Sequence, residues 1–250
     1  MGALRSVEPV YQTALVNYLV SMARSVEGAI NRGIEALLHS HGERAASLAS
    51  EIFLNEPRIN EMELVIDEHA IRMLRGPAGA GLPDSDIRQI VSTLRINNDL
   101  ERMGDLAVNI GQRVVSLAQM EAVEPPPELK PMTAAVRAMV SKALGALIFR
   151  NVTLANEVLE SDDAVDHYRD LVTERLLAQM TKDPAQVAPN MQFILASRYL
   201  ERIADHCTNI AEEVVFWVRG LDVRHGRGLQ HAEQERVREL AAAEERQETN

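Results

Sequence analysis

Along this chain apolar residues return every three or four positions for long stretches, the period of a helix that buries one face. Tyr11, Leu15, Tyr18, Leu19, Met22, Val26, Ile30, Ile34 and Leu37 form one such stripe, which predicts a helix from Val7 or Pro9 to His39. His39-Ser-His-Gly42 ends it, and a second helix is expected from Glu43 to Arg75 with Asn55-Glu-Pro57 in its middle. Proline has no amide hydrogen to donate, so a kink or short break is expected there. Gly76 to Pro83, rich in Gly and Pro, reads as a loop, and Asp84 or Ser85 caps a third helix that reaches about Met120.

Glu124-Pro-Pro-Pro127 and Pro131 interrupt the pattern, and no helix is expected to survive that run. Beyond it, Val136, Val140, Leu144, Leu147 and Val152 predict one long helix from Met132 to about Glu160. Ser161-Asp-Asp163 aligns with Asn55-Glu-Pro57, so the same break is expected again. Lys182-Asp-Pro184 replaces the longer loop of the first half, and a last helix runs from Val187 to Arg219, stopped by Gly220.

Two of these helices carry one signature. Leu100-Glu-Arg-Met-Gly-Asp105 through Asn109-Ile110 is matched by Leu200-Glu-Arg-Ile-Ala-Asp205 through Asn209-Ile210, and Val114-Val115 is answered by Val214-Val215. Such a match is the mark of a duplicated unit. The fold class that follows is all-α: two tandem antiparallel three-helix bundles related by an internal repeat. The expected organisation is a first bundle over 1–122, a Pro-rich linker over 123–131, a second bundle over 132–225, and a disordered, charged tail over 226–250. Two modest cores are favoured over one large core.

On a helical wheel Ile96, Leu100, Met103, Ala107, Ile110 and Val114 form a buried seam, as do Ala196, Leu200, Ile203, Cys207, Ile210 and Val214. Glu101 and Asp105 then sit one turn apart on the outward side, and Glu201 and Asp205 repeat the arrangement. Like charges at that spacing weaken a helix by a few tenths of a kcal/mol, roughly. Using the pair twice therefore invites a purpose, and a hard cation that takes several oxygen ligands is one. Gly104 and Ala204, small on the shoulder of the seam, suit close approach of a neighbouring helix. Phe216 and Trp217 are expected in the core, or at an interface if exposed, and His206 is expected on a partly buried flank rather than as a ligand.

Composition narrows the classes. The 250 residues are 46% hydrophobic but only 4% aromatic, with a formal net charge of −11. Scarce aromatics with abundant Ala, Leu, Val, Glu and Arg favour helices over sheets. The acidic balance disfavours nucleic acid. The single cysteine, Cys207, excludes a disulfide framework and reads as a small buried hydrophobe. No signal-peptide pattern and no uninterrupted apolar run of membrane-spanning length stands out, so a cytoplasmic protein without membrane insertion is expected.

The paired Leu-Glu-Arg-x-x-Asp helices resemble the PhoU proteins, together with Ile59-Asn-Glu-Met-Glu-Leu-Val-Ile-Asp-Glu68, Val165-Asp166 and Val218-Arg-Gly-Leu-Asp-Val-Arg-His225. The resemblance runs from the first helix to about His225. It implies a cytosolic negative regulator of phosphate uptake and of the phosphate-starvation two-component response. Such an adaptor would meet the ATPase of the phosphate ABC transporter and a sensor histidine kinase, and would form a homodimer. It also implies metal on the outward carboxylates, iron in multinuclear form or otherwise Zn, Mn or Mg. The matching positions are Glu101, Asp105, Glu201 and Asp205. Asn109 and Asn209 lie one turn further on, and Glu63 with Asp67, or Asp166 with Asp170, could add support. Repeat alignment sets Arg169 and Thr173 against Glu63 and Asp67, so the halves are expected to differ in metal affinity or nuclearity. Arg102 and Arg202 are either i, i+3 partners of Asp105 and Asp205 or groups that meet a protein partner.

Competing readings remain. A solvated acidic face explains each carboxylate alone, and a scaffold with no metal follows from it. A di-iron or ferritin-like bundle uses inward Glu-x-x-His pairs, and no glutamate in this chain has a histidine three residues later. Nor does a phosphate-binding loop, an HExxH segment or a nucleophile–base pair appear, so no enzyme is expected.

Overall fold

The computed structural model describes residues 9–75 and 82–224. Its helices are α1 (Pro9–His39), α2 (Glu43–Arg75), α3 (Asp84–Ala118), α4 (Leu129–Phe149), α5 (Val152–Leu159), α6 (Asp162–Lys182) and α7 (Val187–Arg219), with a 3-10 turn at Pro184–Gln186. Among the described residues there is no strand. Packing of α1, α2 and α3 makes the first bundle, and packing of α4, α5, α6 and α7 makes the second. The expected tail over 226–250 lies outside the described residues, as does most of the Gly-rich loop.

The stripes read from the sequence are the buried ones. Leu15, Leu19, Met22, Val26, Ile30, Ile34 and Leu37 of α1 are inaccessible, and so are both seams of α3 and α7. Tyr18 is the exception: it is 40% exposed and tilts against His69 with ring centroids 5.1 Å apart. The buried apolar residues form one connected cluster, not the two cores expected. The cause is α3 lying against α7, which joins the seams of the two bundles through their backs.

Three expected boundaries change. First, α2 continues through Pro57 without a break. Pro57 stands on the exposed side, where water can take up the carbonyl it frees, so the helix is not interrupted. Second, α4 starts at Leu129, with Pro131 in its first turn. There the missing amide costs nothing, because the first-turn amides have no intrahelical acceptor. Third, the long helix expected from Met132 to Glu160 is divided at Arg150. Arg150 takes a left-handed conformation at φ 50°, and the Asn151 side chain accepts from the amides of Thr153 and Leu154 at 2.9 and 3.3 Å. That turn is the counterpart of Ser40 to Gly42 between α1 and α2, where Gly42 has φ 89°. The break at Ser161 is present, between α5 and α6, so α5 and α6 together occupy the place of α2.

By length and apolar composition α4 is able to cross a membrane, but half of its apolar window is buried inside the protein. It is a core helix of the second bundle.

Candidate functional site

Each signature helix packs antiparallel to its neighbour, and the pairing fixes which acids meet. Ile59 of α2 lies 3.3 Å from where a Gly104 side chain would begin, and Phe53 lies 3.1 Å from the same point at Gly111. These contacts bring α2 close to α3 and set Glu63 and Asp67 beside Glu101 and Asp105. Asn97, one turn before Glu101 and buried, holds the register: its Nδ2 donates to Asp67 Oδ1 at 2.9 Å and to the Glu63 carbonyl at 3.1 Å.

The result is an acidic face on the first bundle. Glu63 and Glu101 are half-buried, and Asp105 is exposed. Partial burial, with the charges of Asp67 and Asp105, pushes the Glu63 carboxyl above the usual glutamate range. Glu101 is raised likewise by burial, by Asp105 and by Glu63, while Arg102 works in the opposite direction. Four carboxylates that repel one another on a half-wet surface attract a cation.

In the second bundle the same level holds a different group. Arg169 of α6 stands opposite Glu201 where Glu63 stands opposite Glu101. Its Nη1 donates to Glu201 Oε1 at 2.8 Å and to Asp166 Oδ1 at 3.0 Å, and its Nη2 donates to Asp170 Oδ1 at 2.9 Å. The spatial equivalence agrees with the repeat alignment of Glu63 with Arg169. Asp162, in the first turn of α6, completes the face. Burial and the charges of Asp166, Asp163 and Glu201 raise its carboxyl, and burial with Glu201, Asp162 and Asp166 raises Asp205. Sequence reasoning passed over Asp162, although Asp162-x-x-x-Asp166 has the spacing that marks the other acid pairs.

The remaining candidates are scattered. Asn109 is half-buried on its helix. Asn209 turns its amide to Asp99 at 3.2 Å, on the contact between the bundles. Arg102 and Arg202 are exposed, and among the described residues neither forms the expected ion pair with Asp105 or Asp205. An extended guanidinium in water gains little from such a pair. His206 is more buried than a flank residue and pairs with Asp99. Trp217 is buried beneath Arg150, whose Cζ lies 4.8 Å from the ring centroid. Cys207 is fully buried, which drives its thiol far above the ordinary range and makes it inert.

Among the described residues no three His, Cys, Asp or Glu side chains are gathered tightly enough to enclose a metal ion as they stand. The donor chemistry of the first face, all hard carboxylate oxygen on half-buried or exposed side chains, fits Mg, Mn or Fe better than a thiophilic metal. The second face fits less well, because a guanidinium already takes up oxygens of Asp166 and Glu201.

The family model for the PhoU domain matches residues 19–114 and again 129–214. A phosphate-specific transport system accessory protein PhoU homolog of Pseudomonas aeruginosa is 35% identical over 212 residues, 84% of each chain. The homolog of Aquifex aeolicus is 31% identical over 83% of this chain and 90% of its own. Among solved structures, the crystal structure of PhoU from Pseudomonas aeruginosa superposes with a TM-score of 0.79 at 31% identity, covering 85% of this chain and 99% of that one. PhoU from Streptococcus pneumoniae, at 23% identity and a TM-score of 0.75, shares the fold over 86% of this chain and 98% of its own.

Proposed function

The chain belongs to the PhoU family, and from that premise we propose that it is a cytoplasmic adaptor linking the ATPase of a phosphate ABC transporter to a sensor histidine kinase, holding the phosphate-starvation response off when phosphate is plentiful. The broader role, an accessory protein in the regulation of phosphate transport, follows from the family. The observation that carries the finer reading is the doubling: one molecule bears two similar acid-bearing faces, each on a family repeat, which suits bridging two partners.

On this reading Glu63, Asp67, Glu101 and Asp105 hold a hard divalent cation. These carboxylates, with their mutual repulsion relieved by a bound cation, would be able to meet a partner's acidic or phosphorylated group. The protein's own residues do the rest: Asn97 orients Asp67, and Gly104 lets α2 approach closely enough for the four acids to meet. Arg102 and Arg202, exposed on the same helices, are available to a partner. Family likeness also favours a homodimer, which native mass measurement checks.

Pull-down of the purified full chain with the transporter ATPase and with the kinase tests the bridge. Binding to both, weakened by Asp105→Lys and Asp205→Lys, is the expected result. Undiminished binding and signalling in the charge-reversed variants would leave a plain scaffold as the better description.

A further inference from the structure

Resting on the reading of the first face as a cation site, we propose that Arg169 is the resident cation of the second face, so that the two faces are unequal metal sites: the first takes a hard divalent ion tightly, and the second takes one weakly while Arg169 is in place.

The geometry is that of a seated ion. Arg169 reaches three carboxylates, with Nη1 on Glu201 and Asp166 at 2.8 and 3.0 Å and Nη2 on Asp170 at 2.9 Å, and Nε adds a second contact to Asp170 at 3.1 Å. Only 27% of its side chain is accessible, and Glu201 is 22% accessible. The pair is thus partly shielded from water, where opposite charges hold each other more strongly than on an open surface. A planar fork donating in several directions satisfies carboxylates in a way a mobile lysine does not.

The repeat makes the comparison internal to one molecule. Glu63 and Arg169 occupy the same level opposite Glu101 and Glu201, so this one exchange reverses the charge at the centre of the face. Among the described residues no guanidinium forms an ion pair or hydrogen bond with Glu63, Asp67, Glu101 or Asp105; Arg102 acts on Glu101 only through its charge. A divalent ion entering the second face must either displace Arg169 from Glu201 and Asp166 or bind beside a like charge, on the oxygens left by Asp162 and Asp205. Both routes cost affinity, at least about tenfold by the size of a charge–charge contact near a protein surface.

The test is a Mn2+ titration of the full, metal-stripped chain, read by calorimetry and by the electron paramagnetic resonance of free Mn2+, with circular dichroism confirming that each variant is folded. Wild type is expected to show one tight class that disappears in Glu101→Gln. Arg169→Gln is expected to gain a second class at least tenfold tighter than the wild-type second site, and adding Glu201→Gln is expected to remove it. Arg169→Lys, which keeps the charge, is expected to gain less. Glu63→Arg, compared with Glu63→Gln, imports the guanidinium into the first face and should weaken the tight class by a further tenfold. Two equal classes in wild type, or no gain in Arg169→Gln, would overturn the proposal. If wild type binds no Mn2+ at all, the cation reading of the first face fails. In that case a class gained in Arg169→Gln still upholds the role given to Arg169, and its absence rejects both.

Discussion

His206 Nδ1 lies 2.8 Å from Asp99 Oδ1 across the contact between α3 and α7, and Asn209 Nδ2 donates to the same oxygen at 3.2 Å. Both members of the pair are 8% exposed. In the repeat, Tyr199 stands for Asp99 and Leu106 for His206, so the contact between the duplicated helices, which Arg95–Glu213 and Arg113–Gln192 also cross at 2.9 and 3.2 Å, has acquired this polar lock on one side only. One residue before His206 is Asp205, so the lock and the second acidic face share a turn of α7.

Removing one member of the lock leaves the other buried with fewer partners. His206→Leu, which copies the first repeat, is expected to cost about 1–3 kcal/mol, read as a lowered urea midpoint. Adding Asp99→Asn should recover part of the loss, because the uncompensated carboxylate is gone. A double-mutant cycle with no coupling would show that the two side chains do not act together.

The acid face of the first bundle sets a pH dependence. Glu63 and Glu101 have raised carboxyls, so the folded chain binds their protons more readily than the unfolded chain. Their contribution is therefore unfavourable at neutral pH, and the penalty is relieved as pH falls through the raised values toward the ordinary glutamate value of about 4.3. Glu63→Gln should stabilise the chelator-treated protein at pH 7, and the advantage over wild type should shrink toward zero near pH 4. Urea titrations at the two pH values measure it. An advantage that grows on acidification contradicts the assignment.

Close approach of α2 to α3 requires a small residue at position 104. The Ile59 side chain is 3.3 Å from where a Cβ would sit, so Gly104→Val should force the helices apart at the acid face. The expected loss is about 1–3 kcal/mol, seen as a lower melting temperature. Gly104→Ala, the residue present at 204, should be tolerated far better, with the gain in helix propensity offsetting the tight contact.

The turn between α4 and α5 depends on a cap. Asn151→Ala removes the side-chain acceptor for the Thr153 and Leu154 amides and should cost about 1 kcal/mol. Asn151→Asp, which retains the acceptor, should cost little. Chemical denaturation of the pair separates capping from packing.

Helix positions, the duplication and the inward seams could be read from the residues, because a period of three to four and an identical signature are local properties of the chain. Leu100, Met103, Ile110 and their counterparts had to be buried wherever the helices went. The turn at Arg150 escaped notice because neither Gly nor Pro marks it; Asn151, an N-cap residue at the place corresponding to the first bundle's turn, was the available clue. At Pro57 the helix is not broken, since the effect of a proline depends on whether water can reach the carbonyl it frees.

What only the folded chain decided is which charges meet. Arg169 closes on Glu201 across 32 positions and His206 on Asp99 across 107, and no periodicity of either helix specifies those meetings. Periodicity says which side of a helix faces inward. The axial level at which two antiparallel helices engage, fixed in the first bundle by Ile59 and Phe53 packing at Gly104 and Gly111, determines which residues stand opposite Glu101 and Glu201, and at that shared level one repeat supplies an acid and the other a guanidinium.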